Sequence, residues 1–251
     1  MPAFSRPLIS DRTFDISNEV SIDPYLQRAI LKVKKGDFES AIQELNKALK
    51  ISPNNSTIYY NLGTIKGQKL GDIEGGIEDL SKAIEIKPDY FLAYNNRGNS
   101  KFKLKDYIGA KNDFSSAIIN NPFYDRAYYN RGNSNYQLGD YINAIKDFTE
   151  AITINPRYFS AYNNRGNSRY ETKDFVGAVD DFDKAISINQ NYTIAYSNRG
   201  LAKINLEDYE GAIKDFNTAI RIDPSTPFAY YNRATIRSAR FGMLREAAED
   251  Y

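Results

Sequence analysis

A hexapeptide pattern recurs along the chain every 34 residues, and this period constrains the fold more than any other feature of the sequence. It reads Ala-Tyr-X-Asn-Arg-Gly and occupies residues 93–98, 127–132, 161–166 and 195–200. A period of this length indicates one supersecondary element per repeat, and such an element cannot bury its own apolar face. We therefore expect the fold to come from the stacking of neighbouring repeats, and an isolated repeat should not fold.

Counting outward from these copies divides most of the chain into tandem repeats. The predicted repeats are 22–55, 56–90, 91–124, 125–158, 159–192, 193–226 and an incomplete 227–251. Together they predict a single domain over residues 22–251. Residues 1–21 form a leader, which the sequence leaves open as an arm, a disordered tail or a lid on the first helix.

Each repeat carries the pattern of two amphipathic helices joined by a tight turn. In repeat 125–158, Tyr128 and Gly132 lie four residues apart in the first helix, and the apolar residues of the second helix follow the same helical spacing. Between the helices, Gly139 can adopt the left-handed conformation that ends a helix, and Asp140 can cap the next one. Other residues replace this glycine in three repeats, at a cost in local stability. The replacements are Lys105, Lys173 and Glu207.

Prolines mark the ends of the second helices, because proline cannot continue a helix. They are Pro53, Pro88, Pro122, Pro156 and Pro224. Gln190 takes this place in repeat 159–192, so we expect either a looser joint or a longer second helix there. An extra residue before the turn, between Gly63 and Gly71 and again near Gly242, should lie in a loop or at a helix end.

Small and large residues alternate in a way that predicts a close-packed interface between the two helices of a repeat. The small residues of the first helices are Gly63, Gly98, Gly132, Gly166 and Gly200. The large residues predicted to fill the core are Tyr25, Tyr59, Tyr94, Tyr128, Tyr162, Tyr196, Tyr230, Phe114, Phe148, Phe182 and Phe216. A stacking surface for nucleic-acid bases is the alternative for the aromatic rows, but helical spacing favours the core.

The repeat resembles the tetratricopeptide repeat at its most regular positions. In repeat 125–158 these are Tyr128, Gly132, Gly139, Ala144, Phe148, Ala151 and Pro156. The resemblance implies an all-α fold, an α-solenoid of antiparallel helix pairs in a right-handed superhelix. It also implies that the first helices line a concave groove in which partners dock.

The chain departs from that family at the residue before the first-helix glycine, where the family usually has leucine. Arginines take this place: Arg28, Arg97, Arg131, Arg165, Arg199 and Arg233. Acids recur on the second helices: Glu44, Asp79, Asp113, Asp147, Asp181, Asp215 and Asp250. Since these acids share the packing face of the second helix, we predict a ladder of structural ion pairs. The alternative is that the arginines project into the groove and bind acidic partners.

A row of asparagines on the first helices supplies the candidate binding residues. The row comprises Asn61, Asn96, Asn99, Asn130, Asn133, Asn164, Asn167, Asn198 and Asn232. Asparagine offers both a donor and an acceptor, so the row can bind the backbone of an extended peptide. It resembles the asparagine ladder in the repeat arm of the O-linked N-acetylglucosamine transferases. The alternative is that each asparagine bridges adjacent first helices and contacts no ligand.

Variable residues beside this row would then set specificity. They are Tyr60, Asn95, Tyr129, Asn163 and Tyr231 at one place, and Lys103, Gln137 and Glu171 at another. Lys103 and Arg126 are the only evident cations in places suited to the family's carboxylate clamp, so the clamp is not predicted.

Composition excludes several other functions. Lys and Arg total 33 against 32 Asp and Glu, so no global field attracts nucleic acid. The chain has no Cys and no His, which removes disulfides, thiolate or imidazole metal sites and most nucleophilic mechanisms. We therefore predict no enzyme activity, no metal and no cofactor. Because the sequence has neither a signal peptide nor an apolar run long enough for a membrane span, we predict a soluble, cytoplasmic protein.

The leading functional prediction is a non-catalytic scaffold that holds an extended peptide or a partner surface in the groove. Two alternatives remain open. The chain stops inside a second helix, so it could be the recruiting arm of a larger enzyme, with that end truncated or buried. It could also form homo-oligomers through an apolar C-terminal edge of Phe241, Leu244, Ala247 and Tyr251.

Overall fold

A computed structural model describes residues 24–250, apart from the side chain of Phe241. The predicted leader and Tyr251 lie outside the described residues. All regular secondary structure in the described part of the chain is helical. The helices are α1 (Pro24–Lys34), α2 (Phe38–Ile51), α3 (Ser56–Ile65), α4 (Ile73–Ile86), α5 (Phe91–Lys103), α6 (Tyr107–Asn120), α7 (Asp125–Gln137), α8 (Tyr141–Ile154), α9 (Phe159–Glu171), α10 (Phe175–Ile188), α11 (Thr193–Asn205), α12 (Tyr209–Ile222), α13 (Pro227–Phe241) and α14 (Leu244–Ala248), with a π-helical turn at Lys66–Leu70.

The described chain divides into an N-terminal unit, 24–134, and a C-terminal unit, 135–250, and the division falls within α7. In the N-terminal unit α1 packs on α2, α3 on α4 and α5 on α6, while α2 also contacts α3 and α4 also contacts α5. The C-terminal unit repeats this arrangement for α9 with α10, α11 with α12 and α13 with α14. The prediction of an all-α fold built from tandem helix pairs is confirmed.

Glycine on the first helix and phenylalanine on the second make the closest approach within a pair. Phe114, Phe182 and Phe216 are fully buried. A Cβ added to Gly98 or Gly166 would lie 2.7 Å from the facing phenylalanine ring, a distance that real Cβ atoms do not reach. The small residue is therefore needed for the ring to lie flat against the first helix, and the predicted alternation of small and large residues is confirmed.

The tyrosine row was predicted to be core, and this is only partly right. These tyrosines are half-buried, and each of six carries an arginine guanidinium over its ring, as Arg165 does at 5.6 Å from the Tyr162 centroid. The phenolic oxygen favours a position at the edge of the core, where it can reach water. The fully buried tyrosines are Tyr60 and Tyr129, one position further along the first helix.

The turns follow their predicted chemistry. Gly139 has φ of +77°, and Lys105, Lys173 and Glu207 adopt the same left-handed conformation, at φ of +63°, +65° and +61°. The side chain of the following aspartate caps the second helix, as Asp140 does by accepting from the Asn143 backbone N–H at 3.2 Å. Equivalent caps are made by Asp37, Asp72, Asp106, Asp174 and Asp208.

Of the two alternatives predicted at Gln190, a looser joint or a longer second helix, the longer helix is wrong. Helix α10 ends at Ile188 and has 14 residues, as do α8 and α12. The turn that follows α10 is stabilised by Asn189, whose Oδ1 accepts from the Asn191 backbone N–H at 3.1 Å. The same side-chain turn recurs at Asn121, Asn155 and Asp223, so the helix ends without help from proline.

The extra residue between Gly63 and Gly71 is absorbed at the end of α3 by the π-helical turn. Three glycines pack closely beside it, since a Cβ on Gly76 would lie 2.9 Å from both the Gly63 carbonyl and the Gly67 backbone nitrogen. A π-helical turn widens the helix by one residue and changes the direction of the side chains that follow. It therefore gives the last turn of this first helix a geometry found nowhere else in the described chain.

The left-handed turn positions make a matched pair for mutation. Lys173→Gly should stabilise the protein by about 0.5–1 kcal/mol, because the left-handed cost of about 1–2 kcal/mol for a residue with a Cβ exceeds the entropic cost of glycine. Gly139→Lys should destabilise it by a similar amount. Urea unfolding followed by far-UV circular dichroism measures both, and changes of the same sign for the two substitutions would contradict the argument.

Candidate peptide-binding face

The predicted asparagines of the first helices are almost all buried. We call them the amide row, defined as Asn61, Asn96, Asn99, Asn130, Asn133, Asn164, Asn167, Asn198 and Asn232. All but Asn232 are no more than 5% exposed. Helical periodicity places them together on the side of the first helix away from the glycine and the second helix. Buried amides need hydrogen-bond partners, so their contacts decide what the row does.

In the N-terminal unit the amide row connects consecutive first helices. Asn96 Nδ2 on α5 donates to Tyr60 Oη at 3.1 Å and to Thr64 Oγ1 at 3.0 Å on α3. Asn130 Nδ2 on α7 donates to Asn95 Oδ1 on α5 at 3.1 Å. Each of these bonds joins side chains of neighbouring repeats.

The C-terminal unit contains the same connection between α11 and α9. Asn198 Nδ2 donates to Asn163 Oδ1 at 3.1 Å and to Asn167 Oδ1 at 3.0 Å. Asn163 Nδ2 in turn donates to Asn164 Oδ1 at 3.0 Å. Asn232 differs, since its Nδ2 bonds the Phe228 carbonyl of its own helix at 2.7 Å. Bridging between first helices is therefore confirmed for Asn96, Asn130 and Asn198, while ligand contact by the row stays a prediction.

Some amide groups in the N-terminal unit have no hydrogen-bond partner. Asn99 is 5% exposed, and both its Nδ2 and its Oδ1 are buried without one. Asn130 Oδ1 is also unpaired. Asn167, which takes the place of Asn99 in repeat 159–192, accepts from Asn198, so the lack of a partner at Asn99 is a local feature. Buried groups of this kind are rare exceptions in folded proteins and mark positions that another molecule can complete.

A second polar row lies one turn further along the first helices. In the C-terminal unit Tyr136 and Tyr170 are half-buried, and Asn205 Nδ2 donates to Tyr170 Oη at 3.0 Å. Tyr136 Oη lies 3.4 Å from Glu171 Oε1. Burial, together with the Glu171 carboxylate, raises the pKa of Tyr136 far above its ordinary value of 10.0. Its hydroxyl is therefore a hydrogen-bond donor at all physiological pH values.

The residues expected to set specificity divide into two groups. Tyr60, Asn95, Tyr129 and Asn163 are fully buried and belong to the contacts between helices. Tyr231 is 60% exposed. Lys103 and Gln137 are exposed at the ends of their helices, and Glu171 is half-buried. The accessible variation on this face therefore comes mainly from the ends of the first helices.

The ion-pair ladder is confirmed in five repeats. Arg97 holds Asp113 through two bonds, Nη2 to Oδ1 at 2.7 Å and Nε to Oδ2 at 2.9 Å. Arg165 holds Asp181 in the same way, at 2.6 and 3.0 Å. The other pairs are Arg28 with Glu44, Arg199 with Asp215 and Arg233 with Asp250. These arginines serve the fold and do not project from the amide row.

Sequence reasoning missed two further partners in four of these pairs, those of Arg97, Arg165, Arg199 and Arg233. The guanidinium also reaches back to the second helix of the preceding repeat, as Arg165 Nη1 does to Thr149 Oγ1 at 3.1 Å. A second cation four residues after the arginine binds the same acid, as Arg169 Nη1 does with Asp181 at 3.0 Å. Lys101, Lys203 and Arg237 repeat this second contact. The i,i+4 spacing of the two cations was the signal that could have revealed it.

Repeat 56–90 lacks the arginine, because Leu62 takes its place and is buried among apolar side chains. Asp79 is left with Lys66, whose Nζ lies 2.7 Å from its Oδ2. Burial therefore outweighs pairing and raises the pKa of Asp79 above its ordinary value of 3.8. In repeat 22–55, hydrogen bonds from Lys47 and Arg28 lower the pKa of Glu44 from 4.5 to about 2. The pKa of the acid at this position of the ladder is thus raised in one repeat and lowered in the other.

The prediction of an exposed apolar edge at the C-terminal end is partly wrong. Ala247 is 2% exposed, and its helix packs against α13. It is equivalent to Ala212 of the preceding repeat, a small residue at the contact between the two helices of a pair. Leu244 is 70% exposed, while Tyr251 and the side chain of Phe241 lie outside the description. Within residues 24–250 no helix is long and apolar enough to cross a membrane.

The bridging bonds predict different costs for two members of the amide row. Asn198→Ala should destabilise the protein by about 1–3 kcal/mol, because it removes two hydrogen bonds between buried amide side chains of neighbouring first helices. Asn232→Ala removes a bond within one helix from a half-buried residue and should cost less than about 1 kcal/mol. Urea unfolding of both variants measures the difference, and equal costs would show that the bridge between helices adds no stability.

The two perturbed acids predict opposite pH dependences. The folded pKa of Asp79 lies above 3.8, so its contribution to stability falls as pH rises through that pKa. The free energy of unfolding of Asp79→Asn should therefore rise relative to that of the native protein between about pH 3 and pH 7. The folded pKa of Glu44 is about 2, so its contribution is present above 4.5 and lost as pH falls, and Glu44→Gln should be less stable at neutral pH with a deficit that shrinks in acid. Urea midpoints across this range test both signs, and parallel curves would refute the assignment.

Two family models match much of the chain. The TPR repeat model matches residues 31–69 and 68–105, and the Tetratricopeptide repeat model matches residues 125–158, 159–192 and 193–226. A comparison with curated protein sequences finds no significant match.

Solved structures of the same fold cover most of the chain. A tetratricopeptide repeat protein from Parabacteroides merdae is 23% identical over 91% of this chain and 90% of its own, with a TM-score of 0.72. PilF of Pseudomonas aeruginosa is 20% identical over 84% and 96%, with a TM-score of 0.73. YrrB, a TPR protein, is 20% identical over 75% and 97%, with a TM-score of 0.65. At these identities the likeness shows the fold alone.

The sequence matches and the structural likeness agree with the geometry of the helix pairs. The glycine and phenylalanine contact, the left-handed turn and the aspartate cap recur in successive pairs at the period of the matched models. The chain belongs to the tetratricopeptide repeat family.

Proposed function

We propose that the protein is a non-catalytic scaffold that binds an extended peptide segment of a partner protein along its first helices. Members of the tetratricopeptide repeat family are generally scaffolds for protein interactions. The structure of YrrB is described as that of a TPR protein with an unusual peptide-binding site. An extended peptide presents a donor and an acceptor at every residue, which suits a face of amide side chains.

The unpaired carboxamide of Asn99 carries this proposal. Its buried Nδ2 and Oδ1 have no partner within the fold, and Asn130 Oδ1 on the next first helix is also unpaired. One peptide group of a bound segment offers an N–H and a C=O, the two partners that Asn99 lacks. Such bonds would not depend on the side chains of the peptide, so affinity comes from the backbone and specificity from residues at the helix ends.

Asparagines that bridge first helices have a supporting part in this function. Asn96 and Asn198 fix the spacing of neighbouring first helices, which sets the spacing of the groups that a peptide meets. Direct ligand contact by the rest of the amide row, a cytoplasmic location and homo-oligomers through the C-terminal end stay predictions.

The test separates binding from folding at Asn99. A peptide selected from a random 15-residue display library against the full chain would be labelled, and its affinity measured by fluorescence anisotropy. Asn99→Ala should weaken binding about tenfold, the equivalent of about 1.4 kcal/mol for one or two lost hydrogen bonds. Its urea midpoint should be unchanged or higher, because no group of the fold loses a partner.

Asn112→Ala provides the matched control, since Asn112 is exposed on the second helix α6. This control should leave both affinity and stability unchanged. Equal affinity of the Asn99→Ala variant and the native protein for every selected peptide would refute the proposal. Failure to select any binding peptide would also count against it.

A further inference from the structure

The first helix of the described chain exposes a face that later first helices keep buried. Leu31 on α1 is 57% exposed, and Gln27, one turn before it on the same face, is also exposed. We call Gln27, Arg28 and Leu31 the α1 face. The residues equivalent to Leu31 in later repeats are no more than 4% exposed. They are Ile65, Ser100, Ser134, Ser168, Ala202 and Ile236.

In later repeats the preceding helix pair covers the equivalent face. Ile65 belongs to the same apolar cluster as Ala41 of the pair before it. Asn96, which takes the place of Gln27, is 1% exposed and bonds the preceding first helix. Within residues 24–250 no helix pair precedes α1, so the α1 face has no such cover among the described residues.

Arg28 shows the same difference in the ion-pair ladder. Its side chain is 49% exposed, whereas the ladder arginines of four later pairs are 13–18% exposed. Each of those four also bonds the second helix of the preceding pair, as Arg97 Nη1 does with Ser81 Oγ at 3.0 Å. Within the described residues the polar partners of Arg28 are Glu44 and the Tyr25 ring. A guanidinium has more N–H donors than these two partners use, so a further carboxylate can bind it.

The segment that precedes α1 in the chain, residues 1–23, is complementary to this face in charge. Helix α1 carries Arg28, Lys32 and Lys34 and no acid. Residues 1–23 carry more acids than cations, and opposite charges favour association of the two. The acids are Asp11, Asp15, Glu19 and Asp23, and the cations are Arg6 and Arg12. The segment also has apolar side chains that can cover Leu31, among them Leu8, Ile9, Phe14 and Ile16.

The segment is also long enough to reach the whole α1 face. Leu31 lies seven residues beyond Pro24, a distance of about 10 Å along the helix axis. About three residues of extended chain span that distance. Because the segment is covalently joined to α1, its effective concentration at the face is in the millimolar range. A second copy of the protein at micromolar concentration competes poorly with it.

We propose that residues 1–23 fold back along α1 and cover the α1 face. Apolar side chains of the segment pack on Leu31, and one of its carboxylates binds the open side of the Arg28 guanidinium. The segment then takes the place that a preceding helix pair has in later repeats. This cover removes an apolar surface to which another copy could add, and it is independent of peptide binding at Asn99.

Thiol accessibility measures the cover on the full chain, which contains no cysteine of its own. Gln27→Cys places one thiol on the α1 face, and its rate of reaction with a chromogenic disulfide reagent is followed by absorbance. Serine substitution of four apolar residues in the segment should raise this rate about tenfold, because the apolar contacts with α1 are lost. The substitutions are Leu8→Ser, Ile9→Ser, Phe14→Ser and Ile16→Ser. Leu31→Ser, on the other side of the same contact, should raise the rate to a similar extent.

Two controls separate loss of the cover from other effects. Val176→Ser changes a residue on α10 that is 62% exposed, close to the exposure of Leu31, and should leave the Gln27→Cys rate unchanged. Val33→Cys places a thiol on the opposite side of α1, where Val33 packs on the core cluster. Its rate reports fraying of the helix and should be the same with the native and the serine-substituted segment.

Any of the following results would overturn the inference. An unchanged Gln27→Cys rate in the variant with four serines, or in Leu31→Ser, would show that the segment does not cover the α1 face. Equal acceleration of the Val33→Cys thiol would show that the segment only keeps α1 folded. Protection that disappears on about hundredfold dilution would show that a second copy is the cover, because a contact within one chain does not depend on concentration.

Discussion

The arginine of the first helix, held against a buried acid of the second, is the interaction on which the rest of the structure depends. Its guanidinium joins its own helix to two others, as Arg165 of α9 does with Asp181 of α10 and Thr149 of α8. Burying both charges is costly, and the cost is offset only when every donor and acceptor is satisfied. The geometry is therefore narrowly defined. It fixes the helix pairs of Arg97, Arg165, Arg199 and Arg233 against the pair before them, and phenylalanine packs on glycine within the pair.

This fixed spacing determines what the opposite side of the first helices can do. Because neighbouring first helices are held in register, asparagines can bond directly from one to the next, as Asn198 does with Asn163 and Asn167. The result is a set of amide hydrogen bonds that joins neighbouring first helices within the buried part of the fold. Where the register changes, at the π-helical turn beside Leu62 and Asp79, both amide atoms of Gln68 are buried without a hydrogen-bond partner.

Local features were predictable because they depend on residues that are close in sequence. The left-handed turns at Lys105 and Lys173, the aspartate caps and the packing of Phe182 on Gly166 all follow from helical spacing and the shape of single residues. Errors arose where several solutions satisfy the same pattern. Asn189 ends α10 without proline, and the tyrosine row lies at the edge of the core with arginine guanidinium groups over its rings.

The sequence by itself determined the repeat, its two helices, the turn between them and the pairing of arginine with an acid. All of these follow from periodicity and from residues within one or two repeats. Only the tertiary structure decided which asparagines bond across helices, which remain unpaired, and how the extra residue near Gly67 is accommodated. The reason is physical: an amide side chain can turn to any of several neighbours within reach, and differences of a few tenths of an ångström between packed helices select among them.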